Sequence, residues 1–102
     1  MKEYDLYVPL SSNRGTPFPA DRLERLKKRL IKRFGGLTHF PQRNEGFWKL
    51  GAVTFRDEVV ILRVLSAEDD HAHKFWQTLK RDLKRQWRQQ EILIVVREIT
   101  LV

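Results

Sequence analysis

Residues 59–65 read Val-Val-Ile-Leu-Arg-Val-Leu, an apolar run broken only by Arg63. Four of the seven are β-branched, and the length suits a strand. Val60, Leu62 and Val64 point one way; Val59, Ile61, Arg63 and Leu65 point the other. A strand with one wet face alternates apolar with polar residues, but this one is apolar on both sides. Residues 92–99 repeat the pattern, with Ile92, Ile94 and Val96 opposing Leu93, Val95, Arg97 and Ile99. The fold must therefore cover both faces of its sheet.

Working outward, Tyr4, Leu6, Val8 and Leu10 alternate with Asp5, Tyr7 and Pro9, so the chain opens with a strand. A Ser-, Gly- and Pro-bearing loop spans residues 11–19. Leu23, Leu26, Leu30 and Phe34 then fall at helical spacing, and Gly35-Gly36 stops that helix. Residues 37–46 look irregular. Phe47–Phe55 reads as a strand, Arg56-Asp57-Glu58 as a tight connection, and Val59–Leu65 as the second arm of a hairpin. Ser66 with Asp69 matches a capping box for a helix over residues 67–90, with Glu68, Asp69 and Asp70 at its positive end. Its apolar stripe is Ala72, Phe75, Leu79, Leu83 and Trp87. A last strand covers residues 92–102.

The order strand, helix, strand, strand, helix, strand, with right-handed crossovers, puts both helices on one side of the sheet. The expectation is one α+β domain over residues 1–102, a ferredoxin-like βαββαβ sandwich with a four-stranded antiparallel sheet. Two helices roof one face only. The other would leave Val59, Ile61, Leu65, Leu93, Val95 and Ile99 exposed, a larger apolar patch than monomers usually carry. A second copy packed sheet to sheet would cover it, giving a homodimer of the dimeric α+β barrel type. The competing arrangement folds residues 37–46, with Phe40 and Trp48 nearby, over that face in a monomer.

Charge supplies the other asymmetry. The chain of 102 residues carries +7, all of it on the two helical stretches. Residues 20–34 hold seven bases against two acids, and residues 67–90 six against four. Arg25, Lys28, Arg29 and Lys32 on the first helix, with Arg81, Lys84, Arg85 and Arg88 on the second, make a basic face suited to a nucleic-acid backbone or an acidic protein. The first functional reading is accordingly a non-catalytic homodimeric interaction module.

The alternative is a cofactor-independent small-molecule enzyme or ligand binder with a pocket between the sheet and residues 37–46. Parity places Asp5, Tyr7, Arg63 and Arg97 on one apolar face, with His39 and Trp48 as candidates to border the same cavity. A nuclease built on paired carboxylates ranks last, since only Asp5 offers itself. Leu6–Leu10 looks like the first-strand motif of RNA-recognition domains, but residues 59–65 lack the companion aromatics.

The chain has no cysteine, which excludes disulfides and thiolate metal sites and suits a cytoplasmic protein. His71 and His73 diverge on their helix and His39 stands alone, so neither a metal nor a cofactor is expected. The N-terminus has no signal-peptide pattern and no apolar run is long enough to span a membrane.

The stretch Phe34-Gly35-Gly36-Leu37-Thr38, followed by Gly46-Phe47-Trp48 and a late Gln90-Glu91, resembles a group of small uncharacterised bacterial proteins. These carry a Gly-Leu-Thr turn and then Gly-x-Trp. That resemblance implies a ferredoxin-like fold and no particular activity. More loosely, the layout is similar to dimeric α+β barrel enzymes, which include cofactor-independent monooxygenases.

Overall fold

The computed structural model describes residues 1–67 and 69–102. Its elements are β1 (Lys2–Pro9), α1 (Ala20–Phe34), β2 (Thr38–Leu50), β3 (Val53–Ser66), α2 (Asp70–Gln86) and β4 (Ile94–Glu98). They form one antiparallel sheet in the order β2-β3-β1-β4. This is the expected ferredoxin-like α+β arrangement, with both helices on one face.

The alternation seen in the sequence decides which residues meet the helices. Tyr4, Leu6 and Val8 of β1 and Val60, Leu62 and Val64 of β3 are buried beneath them. Leu26 and Leu30 come down from α1, and Trp76, Leu79 and Leu83 from α2. Trp76 stacks on Tyr4 at 4.9 Å and on Phe34 at 5.5 Å, tying both helices to the central strand. The expected stripe on α2 named Phe75, but Trp76 lies deeper and Phe75 stays half-buried against Phe34. Gly35 ends α1 in the left-handed conformation, φ 87°, and donates its N–H to the Ile31 carbonyl at 2.7 Å.

Three local expectations are corrected. Residues 37–46 are not an irregular loop, since Thr38–Leu50 is one strand. Pro41 is tolerated because the ladder slips between Phe40 and Asn44, where a bulge needs no donor from the proline. The Asn44 side chain braces that slip by donating to the Gln42 carbonyl at 3.0 Å. The hairpin does not turn at Arg56-Asp57-Glu58 either. Leu50 pairs with Val53, so Gly51-Ala52 is the turn, with Gly51 at φ 60° in the first central position. Arg56 instead lies within β3 and reaches Glu45 across the ladder at 2.7 Å. Finally, Ser66 does not cap α2. It ends β3, and its hydroxyl donates to the Ala67 carbonyl; Asp69 is the cap, accepting from the Ala72 N–H. The Glu68 part of the capping expectation lies outside the described residues. β4 is also shorter than expected, with Ile92 buried ahead of it as core.

Candidate functional site

The helix-free face carries two adjoining features. The first is a network of four charges. Asp5, only 2% exposed, accepts from Arg63 Nε at 2.8 Å, Arg63 Nη2 at 3.0 Å and Arg97 Nη1 at 3.0 Å. Glu3 joins at 3.0 Å from Arg63 and 3.2 Å from Arg97. Strand pairing produces this, because Asp5 lies opposite Arg63 and Glu3 lies opposite Arg97. The hydrogen bonds from Arg63, with those from Arg97, hold the Asp5 carboxyl below its ordinary range against the opposing effect of burial. Arg63 also lies over Phe40, 4.9 Å from the ring centre. The two acids and two bases neutralise one another.

The second is a cleft of about 400 Å³ where β1 ends at Pro9 beside the longer β3. The β2–β3 hairpin runs well past that end and forms one wall with Asn44, Phe47, Trp48 and Asp57. The segment entering β4 forms the other with Gln89, Glu91 and Leu93, and Tyr7 lies between. Trp48 is fixed twice. It stacks on Phe55 at 4.5 Å, and its indole N–H donates to Asp57 at 2.7 Å.

The charge of this cleft runs against that of the chain. Three acidic residues line it, Glu45, Asp57 and Glu91, and no Lys, Arg or His does, but Glu45 pairs opposite Glu58 and its carboxylate is turned to the helix side. Glu45 is held by Arg56 from outside. Glu91 takes Lys80 at 3.0 Å and the Ile92 N–H at 2.9 Å, and the lysine's hydrogen bond draws its pKa down. Among the described residues no cation lies within 4 Å of Asp57, which accepts from the Trp48 indole. Aromatic walls, an apolar floor and the unpaired charge of Asp57 suit a flat ligand with positive charge.

The structure sorts the sequence candidates accordingly. Tyr7 and Trp48 line the cleft together. Asp5, Arg63 and Arg97 form the neighbouring network. His39 is parted from them: it lies opposite Leu62 on the helix side, with its Nε2 buried and unbonded among the described residues. Of the expected interface residues, Val59 and Leu93 line the cleft, while Ile61, Leu65 and Val95 occupy the rest of the face. Glu45, Asp57 and Glu91 were not singled out by sequence reasoning. They come from separate segments, and the only signal available was that they are acids lying outside the helices.

The basic positions do not form an unopposed array. Arg25 pairs with Asp21 at 3.3 Å, Arg29 and Arg85 share Asp82 at 3.4 and 3.7 Å, and Lys84 approaches Glu91 at 4.0 Å. Lys28, Lys32, Arg81 and Arg88 complete that expected set. No group of three or more metal-ligating side chains occurs among the described residues, and no helix there is long and apolar enough to cross a membrane.

No protein-family model matches the chain, and no curated protein does. Solved structures do. A phage SAM lyase in complex with S-methyl-5′-thioadenosine is 13% identical, with a TM-score of 0.65 over 95% of this chain and 80% of that one. A phage SAM lyase in its apo state gives 13% identity and a TM-score of 0.70, over 95% and 79%. The likeness is one of fold. It corrects the expectation of a non-catalytic interaction module, because these two chains of the same fold are those of an enzyme, one of them holding a small molecule. The alternative reading, a small-molecule enzyme or ligand binder, is the one the comparisons favour, although residues 37–46 belong largely to a strand and form no loop over the sheet.

Proposed function

We propose that this chain is a small-molecule enzyme whose substrate is an adenine nucleoside with a cationic sulfur, of the S-adenosylmethionine type. The base would lie between Tyr7 and Trp48, and the sulfonium would face Asp57. One observation carries the reading: Asp57, with no cation within 4 Å among the described residues, sits against Trp48 in a cleft lined by no Lys, Arg or His, in a protein of net charge +7. A nucleobase gains from stacking on an aromatic ring, and an onium charge gains from both an aromatic face and a carboxylate. The volume of about 400 Å³ lies in the usual range for such ligands. The bound S-methyl-5′-thioadenosine in the similar phage enzyme supports the same chemical class.

The test compares two ligands that differ in charge. S-adenosylmethionine is cationic at sulfur, and S-methyl-5′-thioadenosine is neutral there. Asp57→Asn keeps an acceptor for the Trp48 indole but removes the charge. It should weaken S-adenosylmethionine about tenfold, roughly 1.4 kcal/mol, while leaving the neutral thioether within about twofold. Release of S-methyl-5′-thioadenosine from S-adenosylmethionine, followed by mass spectrometry, reads turnover. A wild-type protein that binds neither ligand and releases no product overturns the reading.

A second proposal concerns the remaining helix-free face. Leu65 is 44% exposed there, beside half-buried Ile61, Val95 and Ile99. We propose that a second copy covers it. The patch is apolar around a charge network that sums to zero, so it can meet its own image across a two-fold axis without repulsion.

A further inference from the structure

On the helix side, at the junction of the β1–α1 loop with the hairpin, lies a separate cleft of about 490 Å³. Its apolar surface comes from Leu10, Pro17, Phe18, Leu23 and Trp87, and three arginines reach it: Arg22, Arg43 and Arg56. None of the basic-face positions considered above takes part.

The arginines differ in how far they are satisfied. Arg56 is held by Glu45 at 2.7 Å. Among the described residues Arg43 has only Glu58, at 3.5 Å, a carboxylate it shares with Arg56. The other acid in the cleft wall, Glu24, is engaged by Lys27 at 2.8 Å. Arg22 has no carboxylate within 4 Å among the described residues. Its guanidinium lies over Phe18 at 4.6 Å and near Trp87 at 5.9 Å. A ring takes the face of a guanidinium and leaves its in-plane N–H groups free. Arg63, on the opposite side of the sheet, shows the completed form of that arrangement: it lies over Phe40 while Asp5 fills its N–H fork. Arg22 has the ring contact and, among the described residues, lacks the oxyanion.

We propose that this cleft binds a small organic oxyanion, a carboxylate or phosphate group set between Arg22 and Arg43 with a flat apolar body against Phe18 and Trp87. The site is independent of the sulfonium cleft. The test titrates the full chain, followed by ¹H–¹⁵N correlation spectra, with phenyl phosphate, benzoate and uncharged benzyl alcohol. Both anions should shift the amides of Phe18, Leu23 and Glu58 saturably, and the tighter of the two identifies the headgroup. The alcohol should not bind. Arg22→Gln should weaken the anions about tenfold and Arg43→Gln severalfold. The Arg43 side chain is 72% exposed, so that variant keeps its fold even if Arg22→Gln does not. Failure to saturate, equal binding of the alcohol, or unchanged affinity in Arg43→Gln overturns the proposal.

Discussion

Replacing Asp5 by Asn probes the charge network that lies beside the cleft. Asp5 accepts three hydrogen bonds from two guanidiniums and is almost wholly buried. Breaking a fully buried ion pair costs about 3–5 kcal/mol, because the surviving charges stay uncompensated. Here the cost is smaller. The Arg63 and Arg97 side chains are 35% and 47% exposed, so water reaches them, and Glu3 still pairs with both. The Asn carbonyl also keeps one acceptor. The expected loss is therefore about 2 kcal/mol at pH 7, a fall in Tm of roughly 10 °C for a domain this size.

The sign of the pH dependence follows from the lowered pKa of Asp5. Its folded value lies below the reference of 3.8, so its contribution is complete above that reference and disappears as pH falls through the folded value. Urea denaturation of both proteins at pH 7 and along an acid series measures this. The difference between them should be largest near neutrality and shrink only below pH 3.8. A difference under about 0.5 kcal/mol at pH 7, or one that does not change with pH, would refute the argument that Asp5 binds both arginines as a carboxylate.

Other consequences are accessible to simple measurements. Gly51→Val should cost about 1–2 kcal/mol, since φ 60° strains a β-branched residue while nothing lies within 4 Å of the added Cβ; thermal melting reads it, and an unchanged Tm would place the turn elsewhere. Leu65→Asp should halve the mass found by light scattering if a second copy covers the helix-free face, and a wild-type protein that is already monomeric would dismiss that cover. Trp48→Ala should leave the helix-side core intact and abolish nucleoside binding, because Trp48 contacts Phe55 and Asp57 rather than the buried cluster; retained affinity would remove the tryptophan from the site.

Periodicity made much of this architecture legible. The alternation of Val59–Leu65 and Tyr4–Leu10 assigns each residue to a face, and that parity alone puts Asp5, Arg63 and Arg97 on the same side. The helices were equally plain from Leu23, Leu26, Leu30 and the Gly35 stop. What failed was the hairpin. Arg56-Asp57-Glu58 looks like a turn because it is polar, yet in the fold these charges serve cross-strand pairs and the cleft. The true turn rests on one glycine flanked by apolar residues, a weak signal in isolation. Misplacing it hid the length of β2, and with it the overhang that makes the cleft wall. His39 was assigned to the cavity while its segment was read as a loop. Once Thr38–Leu50 is a strand, pairing with Leu62 fixes His39 on the opposite side.

The most direct measurement is a crystal structure of the chain grown with S-adenosylmethionine. The account predicts adenine density between Tyr7 and Trp48, with the sulfur turned toward Asp57. Nucleoside bound only at the helix side, or a Tyr7–Trp48 cleft that stays empty at saturating ligand, would contradict it.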